Sequence, residues 1–211
     1  SPDVYEAVAI LNDLSLNTKK IAHGCASKSD INDVAAIGVG WMGIFFGTSP
    51  LSLKHKFNMT KSDALARIET AVKYGKDKGL HLRFTAEDAS RTDFGFLIQV
   101  GQLVQKAGAD RFSLADTVGC LTPTKINKLV DRIVTELDIP IHVHCHNDFG
   151  MATANAISAV EAGAQCVDVT VNGLGERCGL PPLAEVTTAL TELIKVNNYW
   201  ELGILPELSE L

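Results

Sequence analysis

The feature that most constrains the fold is a repeated pattern, in which a short apolar segment is followed by a turn and then by a helical segment. Gly108 and Gly163 occupy equivalent places in this repeat, each closing a helical segment just before the next apolar segment. The apolar segments are short and apolar on both faces, as parallel strands covered by helices are. The predicted strands are residues 20–26, 40–48, 80–85, 111–115, 142–145 and 166–171, and the predicted helices are 27–37, a segment from Thr60, 93–107, a segment from Thr122, 151–162 and 183–196.

Six strand–helix units with no linker and no shift in composition predict a single α/β domain. We expect a TIM-type (β/α)8 barrel, with a doubly wound sheet as the alternative. A complete barrel has eight strands, so the first two are expected to be absent from this chain. Residues 1–211 are therefore interpreted as one catalytic barrel domain that is truncated at both ends.

Charge and composition limit the kinds of partner. The formal net charge is −6 and the sequence has no block of basic residues, which argues against nucleic acid and anionic membranes and favours small-molecule partners. The richest apolar stretch, residues 39–46, is broken by glycines and is too short for a membrane span. The five cysteines form no C-x-x-C pair and no secretory signal opens the chain, so we expect reduced thiols in a cytoplasmic protein.

Polar residues recur where the predicted strands end, which is where barrel enzymes place their active sites. No structural requirement explains such a recurrence at one end of every strand. In strand order these residues are His23; Thr48 and Ser49; Glu87, Asp88 and Arg91; Asp116 and Thr117; His144, His146, Asn147 and Asp148; and Asn172, Glu176 and Arg177.

Three histidines give the strongest signal. His142, His144 and His146 alternate along one predicted strand and therefore share one face, with about 7 Å between successive members. Imidazole is a common ligand of divalent ions, so we predict that His144 and His146 bind one cation while His142 lies deeper. The alternative is that all three only form hydrogen bonds within a polar core.

Other candidates are weaker taken singly. Glu87 and Asp88, together with Arg91, can orient a general base or fix a substrate carboxylate, but acidic pairs also cap helices. Thr117 can donate its hydroxyl to a carboxylate, or it can belong to a plain turn. The glycine-rich loop 172–177 follows the last strand, where barrels often bind anions.

Four motifs occur in a characteristic order and spacing: Glu-Asp-Ala-Ser-Arg at 87–91, Ala-Asp-Thr-Val-Gly at 115–119, His-Cys-His-Asn-Asp-Phe-Gly at 144–150 and Asn-Gly-Leu-Gly-Glu-Arg at 172–177. Together they resemble the isopropylmalate synthase and homocitrate synthase family, which is related to hydroxymethylglutaryl-CoA lyase. The resemblance covers nearly the whole chain.

The resemblance implies a Claisen-type condensation used in amino-acid biosynthesis, in which an acyl-CoA, usually acetyl-CoA, attacks the ketone of a 2-oxo acid. Thioester hydrolysis then releases a 2-hydroxy dicarboxylic or tricarboxylic acid and CoA. His144 and His146 match the family's ligands for Mn²⁺, Mg²⁺ or Zn²⁺, which chelates the oxo acid and polarises its ketone. Thr117 matches the residue that holds the oxo-acid carboxylate, and Glu87 matches a glutamate of the substrate pocket. The resemblance also implies a homodimer.

Departures from the family pattern refine this interpretation. The family's first-strand Arg-Asp pair, whose aspartate binds the metal, is not found. Leu180 stands where many members have a metal-binding asparagine, and Ser52 stands where many isopropylmalate synthases have a histidine, with His55 three residues later. We therefore favour a homocitrate synthase-like enzyme that uses 2-oxoglutarate. The candidate catalytic residues are Glu87, Arg91 and Thr117. The candidate substrate-binding residues are Thr117, Glu87, Ser52, His55, Asn172 and Glu176.

Several alternatives stay open from the sequence. They are an isopropylmalate or citramalate synthase, a hydroxymethylglutaryl-CoA lyase-like enzyme that cleaves the C–C bond, and a non-catalytic barrel fragment or binding module, which the absent opening strands favour. A metal-dependent amidohydrolase is disfavoured, because there the His-x-His pair lies on an early strand and further histidines follow it.

Overall fold

The computed structural model describes residues 2–14 and 16–196. Six parallel strands form one sheet whose order is the chain order, and each is followed by a helix, which confirms the six predicted βα units. The strands are β1 (Ile21–Cys25), β2 (Trp41–Gly47), β3 (His81–Glu87), β4 (Arg111–Asp116), β5 (Ile141–Cys145) and β6 (Cys166–Val167). The helices are α1 (Pro2–Asp13), α2 (Lys28–Ile37), α3 (Lys61–Asp77), α4 (Phe94–Lys106), α5 (Pro123–Val134), α6 (Ala152–Glu161) and α7 (Leu183–Glu192).

The described residues divide into two compact units, the first within Ser1–Glu87 and Thr92–Phe112 and the second within Asp88–Arg91 and Ser113–Leu211. In the first unit β1, β2 and β3 pair in parallel, with Trp41 opposite both Ile21 and His81. Its core contains fully buried aromatic rings, among them Phe84 and Phe112, whose centroids lie 6.2 Å apart.

In the second unit β5 and β6 pair in parallel, with His142 opposite Cys166 and Val143 opposite Val167. One apolar cluster of this unit consists of Ala156 on α6 with Val186 and Leu190 on α7. Burying these side chains helps to hold the two helices together, since apolar burial contributes about 25 cal/mol per Å².

The helices begin where the sequence places their caps. Thr60 caps α3 in a capping box with Asp63, each side chain accepting a backbone N–H of the other. Asp93 caps α4 by accepting the N–H of Phe96, and Pro123 occupies the first turn of α5. These contacts satisfy N–H groups that have no partner within the helix.

The apolar period predicted for α5 is confirmed. The residues in phase on one face were expected to pack, and Ile126, Val130 and Ile133 are buried, while Leu137 just beyond the helix is also buried. The opposite face carries exposed residues such as Lys128, so the helix is amphipathic in the predicted sense.

Three parts of the chain differ from the sequence prediction. The segment expected to be a loop after β2 contains a π-helix, Ser52–Phe57, which buries Leu53 and ends at Asn58 in a left-handed conformation. The strand predicted over 166–171 is only two residues long, because Thr170 instead bridges Pro182 and a 3₁₀ turn follows. The helix α1 was not predicted, and no helix in the described part of the chain is both long and apolar enough to cross a membrane.

The five cysteines are free thiols, as expected. Cys145 on β5 is buried, and that burial raises the pKa of its thiol. A thiol of raised pKa is a weak nucleophile, so Cys145 acts as a small apolar core residue.

Candidate active site

The histidines of β5 have the predicted phase, and two of them converge. The Nε2 atoms of His144 and His146 lie 3.2 Å apart, with the ring centroids 4.9 Å apart and the rings inclined at 67°. His142 and His146 are buried, and His144 is half-buried. The two ring nitrogens therefore point to one place beyond the end of β5.

The spacing of these nitrogens fits a shared cation. Two imidazole nitrogens, each about 2.0 to 2.1 Å from one ion, are about 2.8 to 3.4 Å apart in octahedral to tetrahedral geometry. The distance of 3.2 Å between the Nε2 atoms lies in this interval. Within residues 2–14 and 16–196, no group of three or more His, Cys, Asp or Glu side chains is arranged to hold an ion. The two imidazoles of His144 and His146 are therefore candidate ligands.

Asp168, just past β6, holds two of the three histidines. Its Oδ1 lies 2.8 Å from Nε2 of His142, and its Oδ2 lies 2.8 Å from Nδ1 of His144. The sequence prediction missed this residue, although the apolar pattern did place it on a strand. Pairing of Cys166 with His142 brings Asp168 next to His144, and only the register between the strands reveals that contact.

The environment of His146 favours its neutral form. Burial, followed by the nearby His144 and Arg177, lowers the pKa of His146. Neutral imidazole is the form that donates a lone pair to a metal ion. Nδ1 of His146 is buried and has no hydrogen-bond partner within the described part of the chain.

The hydroxyl of Thr117, in the turn after β4, accepts one hydrogen bond and can still donate another. Its Oγ1 accepts the backbone N–H of Asp88 at 2.8 Å. A hydroxyl that accepts in this way can still donate its own hydrogen, so Thr117 can bind a carboxylate oxygen. The structure thus allows the role predicted for this side chain.

Arg91 is paired with a buried carboxylate. Its Nε and Nη2 donate to the two oxygens of Asp88 at 2.7 and 2.9 Å, and this pairing raises the pKa of Arg91. Asp88 is 2% exposed and has a positive φ of 61°. The bidentate pair and the bond to Thr117 hold this unusual backbone conformation in place.

Arg177 connects the loops that follow β4, β5 and β6. Its Nε and Nη2 donate to the two oxygens of Asp148 at 2.6 and 2.8 Å, and Nη2 also donates to the backbone oxygen of Thr117 at 2.7 Å. The guanidinium lowers the pKa of the Asp148 carboxyl. Arg177 was among the polar strand-end residues found in the sequence, but it was not assigned a role there.

The loop after β4 is built around Asp116 and Gly119. The buried carboxylate of Asp116 accepts the backbone N–H groups of Cys120 and Leu121 at 3.1 and 2.9 Å. Gly119 has a φ of 61°, and a Cβ atom there would lie only 2.8 Å from the backbone oxygen of His146. Only glycine permits this close approach of two strand-end loops.

In the first unit, Glu87 ends β3 and pairs with a lysine that sequence analysis did not single out. Lys56 donates to both oxygens of Glu87 at 2.8 and 3.0 Å, and it lies on the π-helix. The same π-helix carries Ser52, whose N–H donates to Oγ of Ser49, and the exposed His55. The structure therefore places three of the predicted site residues on two adjacent elements.

The remaining predicted residues are more exposed. Asn172 is exposed with a φ of 57°, and Glu176 is exposed with an oxygen 3.8 Å from Nη1 of Arg177. Leu180 is half-buried, and its N–H donates to the backbone oxygen of Gly173. Its apolar side chain offers no ligand atom, as the sequence indicated.

Six parallel strands arranged in chain order, each followed by a helix, define an α/β protein of the TIM-barrel class. The chain belongs to the HMGL-like family, whose profile matches residues 1–211. This confirms the fold class and the family resemblance that the four motifs predicted.

Curated relatives include homocitrate synthases. The chain is 43% identical over 211 residues to homocitrate synthase of Pyrococcus abyssi, covering 100% of this chain and 58% of that protein. It is also 43% identical over 217 residues to homocitrate synthase of Saccharolobus islandicus strain L.S.2.15, covering 98% of this chain and 47% of that protein. The chain thus spans about half the length of these relatives.

Solved structures of similar fold include HMG-CoA lyases. The lyase from Brucella melitensis aligns with a TM-score of 0.85 at 19% identity, covering 99% of this chain and 77% of that chain. The lyase from Bacillus subtilis aligns with a TM-score of 0.83 at 16% identity, covering 97% of this chain and 73% of that chain. At these identities the similarity establishes the fold.

The contact between Arg177 and Asp148 gives a first prediction. Arg177→Ala is expected to raise the pKa of the Asp148 carboxyl towards its ordinary value, because the bidentate guanidinium stabilises the ionised form. A ¹³C NMR titration of the carboxyl carbons measures this change. Asp63, whose pKa is lowered by the Thr60 cap, serves as an internal control that should not move. An unchanged Asp148 titration would show that the contact is not maintained in solution.

Proposed function

We propose that the protein catalyses a metal-dependent Claisen condensation of acetyl-CoA with a 2-oxo acid, as a homocitrate synthase-like enzyme with 2-oxoglutarate as the favoured acceptor. The observation that carries the proposal is the convergence of the His144 and His146 Nε2 atoms to 3.2 Å at the end of β5. The 43% identity to homocitrate synthases over the whole chain supports the choice of reaction.

The proposed chemistry forms one carbon–carbon bond and breaks one thioester. A base removes a proton from the methyl group of acetyl-CoA, and the methyl carbon attacks the ketone carbon of the oxo acid. The ketone oxygen is protonated to a hydroxyl, and water then cleaves the thioester to give a carboxylate and the CoA thiol. A divalent cation, Mn²⁺, Mg²⁺ or Zn²⁺, held by His144 and His146 would polarise the ketone as a Lewis acid.

Within this proposal the chain's own residues bind and orient the oxo acid. The Thr117 hydroxyl donates to the substrate carboxylate, since its oxygen already accepts from Asp88. Glu87 and Arg91 are assigned catalytic roles, with Lys56 holding the Glu87 carboxylate in one orientation. The assignments of Ser52, His55, Asn172 and Glu176 to substrate binding rest on the family resemblance and stay predictions.

The partners proposed are an acyl-CoA and a 2-oxo acid. Homodimer formation, a cytoplasmic location and the single-domain interpretation of residues 1–211 likewise stay predictions. A lyase that cleaves the same type of bond would use the same polarised carbonyl, and isopropylmalate or citramalate synthases differ in the acceptor. Product analysis therefore separates these alternatives.

The proposed reaction is tested by assaying CoA release on the full-length protein. With acetyl-CoA, a divalent cation and a panel of 2-oxo acids, we expect release to be fastest with 2-oxoglutarate and to stop when a chelator is added. Preference for 2-oxoisovalerate or pyruvate would assign the isopropylmalate or citramalate alternative. Cleavage of hydroxymethylglutaryl-CoA without condensation would assign the lyase, and no turnover in either direction would favour a non-catalytic protein.

Metal binding is tested separately from turnover. His144→Ala is expected to weaken the binding of Mn²⁺ or Zn²⁺ at least tenfold in calorimetry, because it removes one of two converging ligands. His81→Ala is the matched control, since His81 contacts Trp41 and Asp110 in the first unit and is expected to leave the affinity unchanged. Equal affinities of the wild type and His144→Ala would refute the assignment.

The role of Thr117 is tested by Thr117→Val, which keeps the shape and removes the hydroxyl. We expect the oxo-acid affinity to fall by about 1 to 3 kcal/mol, the usual cost of leaving a buried polar group unpaired. Steady-state kinetics of the variant measure this change, and Thr124→Val on the exposed first turn of α5 is the control. If KM and kcat are both unaltered in Thr117→Val, the proposed contact does not exist.

A further inference from the structure

The Asp168 carboxylate spans two imidazoles of the neighbouring strand. Each of its oxygens lies 2.8 Å from a different ring nitrogen, Nε2 of His142 and Nδ1 of His144. The side chain of His142 is 8% exposed and that of Asp168 is 24% exposed, so the contacts are largely shielded from water. A partly buried carboxylate is positioned far more firmly by two contacts than by one.

These contacts bear on which ring nitrogen of His144 carries the proton. A carboxylate only accepts hydrogen bonds, so the Nδ1 atom that faces Asp168 carries the proton. A neutral imidazole has one ring proton, and the lone pair is then on Nε2, the atom that points towards His146. The opposite tautomer would direct an N–H into the place where the two Nε2 atoms converge.

We propose that Asp168 is a positioning residue that fixes the tautomer and ring orientation of His144, and that His142 anchors Asp168 for this purpose. The metal-binding consequence rests on the function proposed above. The tautomer of His144 depends only on residues of this chain and can be measured without metal.

The geometry favours this role over direct ligation by Asp168. Both carboxylate oxygens already contact imidazole nitrogens at 2.8 Å, and no three-residue ligand group that includes Asp168 occurs in the described part of the chain. His142 lies one strand repeat below His144, and its contact with Oδ1 leaves Oδ2 facing the His144 ring. The order along the line of contacts is therefore His142, Asp168, His144 and His146.

The first measurement is the tautomer of His144 in the metal-free protein. ¹⁵N NMR of the histidine rings, at a pH well above the ordinary imidazole pKa of about 6.5, is expected to show the Nδ1–H form in the wild type. In Asp168→Ala the Nε2–H form is expected to appear, because the acceptor at Nδ1 is gone. The matched control is Asp131→Ala, which removes an exposed carboxylate of α5. An unchanged tautomer in Asp168→Ala overturns the proposal.

The second measurement is metal affinity, by titration of Mn²⁺ and Zn²⁺ in calorimetry. Asp168→Asn and Asp168→Ala are expected to bind about 10- to 100-fold more weakly than the wild type, the usual effect of losing the carboxylate behind a histidine ligand. Asp131→Asn is expected to bind like the wild type. Thermal unfolding of each variant establishes that the fold is retained, and the amide of Asp168→Asn fills the same volume if the alanine variant does not fold.

The outcomes separate this inference from the proposed function. If the wild type binds metal and both Asp168 variants bind it equally well, the positioning role is wrong while the metal site stands. If the wild type binds no divalent cation, the proposed metal site is wrong, and the ring tautomer alone decides whether Asp168 positions His144. A tautomer change together with weakened binding supports both.

Discussion

The backbone pairing of β5 with β6 is the interaction on which the candidate site depends. The N–H of Asp168 donates to the backbone oxygen of Val143 at 2.9 Å, which continues the register set by His142 and Cys166. That register places the Asp168 carboxylate between two histidines of β5. A shift by one residue would turn the histidines to the opposite face and remove both contacts, because side chains alternate along a strand.

The predictable parts of the fold are those determined by local sequence. Thr60 and Asp93 cap their helices with their own side chains, and the apolar period of α5 appears within one helix, so neither depends on a distant partner. The π-helix 52–57 was missed because it depends on contacts with residues outside it, which a local apolar period does not reveal. One such contact is the close approach of Ser52 to Gly47 on β2, where a Cβ atom would lie 2.7 Å from the Ser52 side chain. The short β6 was missed for a similar reason, because Thr170 pairs with Pro182 and leaves the ladder.

The residues of the candidate site also fall into two groups, those that local sequence predicts and those that it does not. His144 and His146 could be predicted because alternation along one strand places both rings on the same side. Asp168 and Lys56 could not, since each acts on a residue that lies 24 or more positions away in the sequence. From the sequence alone, an aspartate and a lysine are each expected to be exposed to solvent without such a contact. Pairing between strands, and the packing of the π-helix beside β3, decide these positions, and neither is encoded in a motif.

The two arginines near the strand ends have a further consequence for substrate recognition. Arg91 and Arg177 each make a bidentate pair, with Asp88 and Asp148 respectively, so their charge is already balanced within the protein. Diverting Arg91 to a substrate carboxylate would break its pair with a buried acid, which is strongly unfavourable. The hydroxyl of Thr117 can bind an anion without such a loss. A neutral donor held by a pre-formed network needs little reorganisation to bind an anion. Within the proposed function, this favours Thr117 over the guanidinium groups as the primary contact for the oxo-acid carboxylate.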